Sequence, residues 1–368
     1  MKKRFVAIGA LVVLAAAGYF GYRYFSSSAS YGTVNVNLGA VEASKLCKDL
    51  SGHPRVVCLS NELKKSLSAE LAGKVQLNYS VAEAQKWSNF PPAGYRNRIG
   101  ATLDQFSKEQ LTIIKAILLE ATGTAKNEGY DELEQILNAD DFLNANITGS
   151  NGGFSSGNFY LAFLGTPSDK DLWQLYFGGH HLAVGFTYQD GKLIGATPSF
   201  RGVEPFEKFT QNGRENEPMK QEQEAFAAML KALDEKEKAA AKLSQTFSDI
   251  IVGPQKDTSY PTLRNGVKVG DLSPEKQQLV VKAIETYIAD SSDADAKTII
   301  EKYKSEFADT FLAFSGTPEL NTANDYVRVD GPSVWIEISM QNAASWTGIH
   351  PHSVWRDKRS DYGGNLGK

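Results

Sequence analysis

The chain has 368 residues, 42% hydrophobic and 22% charged, which is enough length and apolar content for a sizeable core. A net charge of −4 and a pI near 5.8 argue against a nucleic-acid surface, which needs a basic excess on at least one face. The sequence also lacks a Gly-x-Ser-x-Gly elbow, a phosphate-cradling Gly-x-x-x-x-Gly-Lys-Ser loop, His-Glu-x-x-His and a dinucleotide fingerprint.

Lys2, Lys3 and Arg4 precede an apolar run over residues 5–22, and small residues follow at 26–30. A charged segment, an apolar core and small residues in that order read as an export signal over residues 1–30, so the expected location is extracytoplasmic, in the periplasm or at the cell surface. Two outcomes stay open. The run of about 18 residues is long for a cleaved signal and short for a span of about 20, so residues 5–22 are either removed or kept as a membrane anchor. Phe20, Tyr22, Arg23, Tyr24 and Phe25 crowd the place where cleavage wants small residues, although Ser28, Ala29 and Ser30 offer a site.

Residues 31–85 form an N-terminal extension. Cys47 and Cys58 are the only cysteines and stand eleven positions apart, which in an oxidising compartment predicts a loop-closing disulfide. Short helical stretches are expected at 41–44 and 61–67, and His53, in the loop at 51–54, reads as a surface histidine. A short helix over 80–87 ends before Pro91 and Pro92, since a proline disfavours the helical region for the residue before it.

A first half spans residues 86–220. Ser107 and Gln110 make a Ser-x-x-Gln capping box at the start of an apolar helix. Residues 149–157, rich in Gly and Ser, read as a mobile loop, and Asn146-Ile147-Thr148 fits a glycosylation acceptor only as a permissive three-residue pattern. A connecting region, residues 221–270, opens with a polar helix over 221–247 whose apolar stripe is Phe226, Met229, Leu230 and Leu233. In the second half, residues 271–368, Ser273 and Pro274 start another capped helix.

The halves resemble each other. Tyr160-Leu161-Ala162-Phe163-Leu164-Gly165-Thr166-Pro167 nearly repeats as Phe311-Leu312-Ala313-Phe314-Ser315-Gly316-Thr317-Pro318, and strand-like runs follow at 172–188 and 326–339. Helices, a Gly-Thr-Pro strand and an antiparallel pair in the same order indicate an internal duplication of about 100 residues per copy. The expected fold is α+β, two homologous halves with helices packed on antiparallel sheets.

Two motifs hold four of the five histidines: Gly178-Gly179-His180-His181, and His350-Pro351-His352-Ser353-Val354-Trp355-Arg356-Asp357, which runs on to Asp361-Tyr362-Gly363. Together with Trp87-Ser88-Asn89-Phe90-Pro91, the helix start at 106–110, Ala196-Thr197-Pro198-Ser199-Phe200 and Glu204-Pro205, they are similar to the family described as domain of unknown function 3500, over roughly residues 86–367. That resemblance implies no activity.

The chemistry must therefore be read from residue types. If residues 173–188 are strand throughout, His180 and His181 point to opposite faces, whereas His350 and His352, two apart, share one. One of the first pair with both of the second gives a three-imidazole set that suits zinc with an open position, copper or iron. The candidate metal ligands are His180, His181, His350 and His352, and the site would take one contribution from each half. A metal-free polar site, and histidines that merely hydrogen-bond to carbonyls or to Asp357 and Asp361, are the competing readings. Arg356 could pair with Asp357, or hold an anionic substrate by its planar fork, with Asp361 orienting an imidazole; these three are the candidate catalytic residues, or else a surface ion-pair cluster. Glu204 and Glu337 are acid/base candidates by elimination, and Trp173, Trp335, Trp346 and Trp355 are expected to pack. Two functions are then in view: a metal-dependent hydrolytic or redox enzyme acting on a small molecule, or a non-catalytic binding protein for a metal or small ligand.

Overall fold

Short, nearly continuous apolar runs build a single twelve-stranded sheet. The computed structural model describes residues 35–42, 44–148 and 153–366, so residues 1–30, expected to act as an export signal, lie outside the described residues. In chain order the strands are β1 (Gln76–Leu77), β2 (Ala101–Thr102), β3 (Tyr160–Leu164), β4 (Trp173–Gly179), β5 (Leu182–Gln189), β6 (Lys192–Gly195), β7 (Ser199–Gly202), the separate hairpin β8 (Phe209–Gln211) and β9 (Arg214–Asn216), then β10 (Val267–Lys268), β11 (Phe311–Ser315), β12 (Tyr326–Asp330), β13 (Val334–Asn342) and β14 (Ile349–Asp357). Their order across the sheet is β1-β3-β4-β5-β7-β14-β13-β12-β11-β10, with β2 on β3 and β6 on β5. All neighbours are antiparallel except β1 and β3, so the sheet is mixed.

The helices are α1 (His53–Ser66), α2 (Ala69–Val75), α3 (Val81–Ala84), α4 (Lys108–Ala121), α5 (Gly129–Asn146), α6 (Lys220–Lys231), α7 (Glu235–Ala241), α8 (Pro274–Ile288) and α9 (Asp293–Ser305). The start signals act as expected. Ser107 and Gln110 close a reciprocal capping box on α4, and Ser273 caps α8 with Pro274 in its first turn. Helices α4, α5, α8 and α9 bury Ile114, Ile136, Ile284 and Tyr303 against the sheet face that carries Leu182, Val184, Ile336, Ile338 and Trp355. The opposite face carries Phe200, Trp335 and Val354, and is covered by irregular chain bearing Trp87, Ile99, Ile250 and Val252. Among the described residues, no helix is long and apolar enough to cross a membrane.

The order strand, 3-10 turn, two helices and three strands occurs over residues 101–189 and again over 267–342. The two strand sets are not separate sheets. They join where β7 pairs with β14, because both edge strands carry unpaired backbone groups that must find partners once both faces are covered.

Several local expectations change. The polar connecting helix breaks into α6 and α7 at Asp234, whose side chain accepts the N–H of Glu237 and starts a new helix with its own capping box. The early helical stretch is a 3-10 turn over Leu38–Ala40 followed by extended backbone at Val41. Within the Gly/Ser-rich segment, residues 149–152 lie outside the described residues, but Ser155, Ser156 and Asn158 are buried, and Ser156 N–H donates to Asp141 Oδ1 at 2.7 Å. That end is anchored, not a mobile loop. His53 is not a surface histidine either: it lies in the first turn of α1 with its side chain 10% exposed, packed on Tyr188 at 4.7 Å between ring centroids.

Cys47 and Cys58 form a disulfide that ties the chain entering α1 to the second turn of that helix. In the chain-entropy picture, closing so short a loop stabilises the fold by about 2–3 kcal/mol. The Cys47→Ser/Cys58→Ser double variant should therefore unfold at lower urea, with the extrapolated free energy reduced by about that amount; an unchanged midpoint would contradict this.

Candidate metal centre

Pairing of Gly179 with Leu182 closes the β4–β5 hairpin and leaves His180 and His181 as its two turn residues. The strand alternation expected to separate them therefore does not apply. Both rings are buried and stacked, with centroids 3.6 Å apart. His181 has φ 60°, in the left-handed region, which costs an L-residue roughly 1–2 kcal/mol unless tertiary contacts impose it. Here its N–H donates to the carbonyl of Asn89 and its own carbonyl accepts from Gly202 N–H at 2.8 Å.

His350 and His352 sit on β14 and share a face, as their spacing predicts. The neighbouring strand β7 sets Gly202 opposite His352. A Cβ at Gly202 would stand 2.9 Å from Cδ2 of both His181 and His352, so glycine is what allows the turn and the strand to approach.

The result is three imidazoles around one point. His181, His350 and His352 place ring nitrogens within 4.8 Å of one another, and His181 Nε2 lies 2.7 Å from His350 Nε2. The three residues are 2%, 6% and 6% exposed, respectively. Burial, reinforced by the neighbouring imidazoles, holds the pKa of His181 well below the usual range and brings that of His350 down to about 2. Both are therefore neutral at physiological pH, the form that ligates metals. His350 Nδ1 is buried with no hydrogen-bond partner, and the nearest acid, Glu204, holds Oε2 3.9 Å away. Around the rim, His352 Nδ1 is 2.6 Å from Gln341 Nε2 and 3.0 Å from Asp249 Oδ1. Burial pushes the Asp249 carboxyl up, but the hydrogen bond and charge of His352 outweigh it and the net shift is downward. His180 turns its Nδ1 to Asp140 Oδ1 at 2.7 Å, and Asp140, His180 and His181 form a second group of the same compactness.

The acidic and cationic residues expected beside the histidines are elsewhere. Arg356 and Asp357 do not pair. Successive residues of β14 face opposite ways, so Arg356 bonds Asp361 at 2.8 Å and the Asp257 carboxylate, while Asp357 accepts from Lys302 at 2.8 Å and from the Tyr303 hydroxyl at 2.9 Å. All of Arg356, Asp357 and Asp361 are buried, which excludes a surface ion-pair cluster, and Asp361 orients no imidazole. Five residues of strand put Asp357 about 17 Å from His352. Glu337 is spent on the backbone N–H groups of Ile251 and Val252, the Tyr326 hydroxyl and the Trp335 indole. Of the acids expected from the sequence, Glu204 is the one near the histidines, 3.9 Å from His350; its Oε1 accepts from Ser345 and Trp346 N–H. Trp173, Trp335 and Trp355 are core, but Trp346 is 37% exposed, edge-on to Phe142 at 5.3 Å.

A family model described as "Protein of unknown function (DUF3500)" matches residues 51–364, most of the chain, and the chain belongs to that family. No curated protein and no solved structure matches it.

Asp140, Asp249, Gln341 and Gly202 were not among the residues singled out from the sequence. Asp140 had a signal, since Asn138, Asp140 and Asp141 interrupt the apolar pattern of α5 at positions that prove buried. A second polar cluster was also missed. On the helix-covered face, Glu128, Glu132 and Glu222 gather beside Arg201, which pairs with Glu132 at 2.6 Å and with Asp290. One guanidinium cannot compensate so many buried carboxylates, and burial raises all three, reinforced at Glu128 and Glu222 by repulsion from neighbouring carboxylates; Glu128 is pushed up to about 9. A carboxyl raised above its unfolded value near 4.5 stabilises the fold fully below that pH and loses the contribution as pH rises toward 9. Glu128→Gln should thus gain on the wild type as pH goes from 5 to 9, by up to about 1.4 kcal/mol per unit in urea unfolding. A difference that does not change with pH would contradict the assignment.

Proposed function

We propose that this member of the DUF3500 family is an exported metalloprotein in which His181, His350 and His352 hold one zinc, copper or iron ion with a coordination position left open. The observation that carries the reading is the meeting of three buried imidazoles from two distant segments, one with a nitrogen that no protein group engages. The residues fit such an ion. Two nitrogens on one ion stand about 3.0–3.6 Å apart, given bonds of about 2.0–2.2 Å, so the 2.7 Å pair needs to open by less than about 1 Å. Asp249 and Gln341 would orient His352, as a second layer of partners commonly does. Three imidazoles leave room for a water or small substrate, and Glu204 is the carboxylate placed to move a proton beside it. This supports a metal-dependent enzyme acting on a small molecule.

A second reading, metal binding without turnover, is favoured by one observation: all three histidines are buried, none more than 6% exposed as a residue. Azide added to the cobalt- or copper-loaded protein separates the two. A changed visible spectrum shows an exchangeable position, and an unchanged one supports a closed binding site.

Export rests on the order of charged, apolar and small residues at the N-terminus, and the Cys47–Cys58 disulfide supports an oxidising compartment. The mass of the protein recovered from the cell envelope decides between cleavage and anchoring, and recovery only from cytosol refutes both. The two halves are further proposed to descend from one duplicated unit. Gly100 and Gly266 support this. Both have positive φ, both precede the first strand of a half, and a Cβ on either would strike the equivalent carbonyl, Leu161 O or Leu312 O. An experimental structure in which residues 99–189 and 265–342 fail to superpose strand for strand would overturn it.

Untagged protein, purified without chelator, should carry close to one equivalent of transition metal by plasma mass spectrometry. His350→Ala/His352→Ala should lose it. Gly202→Ala, which changes no ligand, should weaken binding at least tenfold, since its Cβ displaces two of the rings. A wild type that is metal-free and cannot be loaded with zinc, copper or iron sinks the proposal.

A further inference from the structure

The strand that supplies two of the histidines sends other side chains to the opposite face of the sheet. There Trp355 and Asp357 meet α9 and border a cavity of about 330 Å³, within the range typical of small-ligand sites. It lies across the sheet from the histidines and toward the far end of β14, so it is no part of the metal centre. We propose that this cavity binds a small organic anion with an apolar body, its carboxylate held by the ammonium groups of Lys192 and Lys302.

The walls decide the body. Leu193 and Ile194 of β6, Ile299 of α9 and the indole of Trp355 give the cavity an apolar lining. The donors decide the head group. Asp357 accepts from Lys302 at 2.8 Å, from the Tyr303 hydroxyl at 2.9 Å, and from the N–H groups of Arg359 and Ser360 at 2.9 and 3.0 Å. Four donors occupy this carboxylate, so it is poorly placed to receive a ligand cation. It acts instead as a positioning group that fixes the Lys302 ammonium at the cavity, where two of that group's three N–H donors remain unused. Lys192, on the facing strand, makes no hydrogen bond or ion pair with any described residue. The Asp295 carboxylate at the same rim already accepts from the Ser292 hydroxyl at 2.5 Å. The two ammonium groups keep five N–H donors between them, two on Lys302 and three on Lys192, against the remaining lone pairs of the Asp295 carboxylate.

The space also has length. A second cavity of about 220 Å³ shares Lys192, Leu193 and Asp295 with the first and runs on to His53, whose buried ring nitrogens make no hydrogen bond among the described residues. An apolar chain of several carbons can extend that way while its carboxylate stays between the two lysines.

Octanoate, octanol and octylamine, titrated into the full chain by calorimetry, test this. Octanoate is expected to bind, and octylamine to bind at least tenfold more weakly, because ammonium meets ammonium. Lys192→Gln changes an exposed, unpaired side chain and keeps the fold; it should weaken octanoate about tenfold and leave octanol unaffected. Ile299→Trp fills the apolar wall and should abolish both, with far-UV circular dichroism confirming that the variant is folded. No octanoate binding at millimolar concentration, octylamine binding as tightly as octanoate, or octanoate binding unchanged in both variants would each overturn the proposal. Metal-depleted protein should bind octanoate as well as untreated protein, so this result stands or falls apart from the metal centre.

Discussion

The pairing of β7 with β14 is the constraint on which the rest depends. Four residues of β7 bridge β5 and β14, and that ribbon is what joins the first run of strands to the second. Its register is strict. Phe200 and Gly202 go to the face that holds the histidines, while Ser199 and Arg201 go to the helices. A slip by one residue would set Arg201 against His352 and turn Phe200 out of its cluster, since every side chain on a slipped strand changes face. Gly202 is the contact point: the one residue of β7 that leaves room for a ring from the β4–β5 turn and a ring from β14 at the same place.

From that junction two polar systems grow, one on each face. Arg201 carries the second, drawing in Glu132 from α5 and Asp290 from the turn after α8. Next to it Ser353, the neighbour of His352, meets the Tyr287 hydroxyl of α8 and donates to the Glu337 carbonyl. Polar groups on both faces of a buried junction are expensive to desolvate, and the fold meets the cost with hydrogen bonds inside the layer. At the far end Arg356 does the same for Asp257 and Asp361, and this explains why residues that look catalytic in sequence serve to tie irregular chain onto the sheet.

What was legible in the sequence was what depends on near neighbours. The capping pairs Ser107 with Gln110 and Ser273 with Pro274, the strands around the two Gly-Thr-Pro segments, the disulfide and the shared face of His350 and His352 are all set by spacings of a few residues. His180 and His181 were misplaced because apolar sequence runs on both sides of them, and nothing local says where a hairpin turns when its turn residues are buried by another part of the chain. Arg356 was given the wrong partner for a related reason. Asp357 is adjacent in sequence, but on a strand adjacency means opposite faces, and of the two carboxylates that do pair, Asp361 and Asp257, the second is 99 residues away. Asp249 reaches His352 across 103 residues and Asp140 reaches His180 across 40, distances over which spacing in the chain says nothing of contact.

An imidazole in a dry site is stable when neutral and hydrogen-bonded, and His180 and His352 have carboxylates for that purpose. His181 and His350 have mainly each other, through one Nε2 to Nε2 contact that a single proton can serve, and the other nitrogen of His350 has nothing. A fold seeking stability alone would gain by replacing such a ring with an apolar one, since a buried polar atom without a partner costs on the order of 1–3 kcal/mol. Instead the chain sets His181 at a strained φ and keeps a glycine at position 202 so that the rings can meet. Strain and an unsatisfied donor or acceptor converging on one point are the pattern expected where structure has yielded to binding. A cation that engages the idle nitrogen of His350, or replaces the shared proton between His181 and His350, recovers that lost energy, and the His181–His350 pair is already within about 1 Å of the spacing such an ion requires.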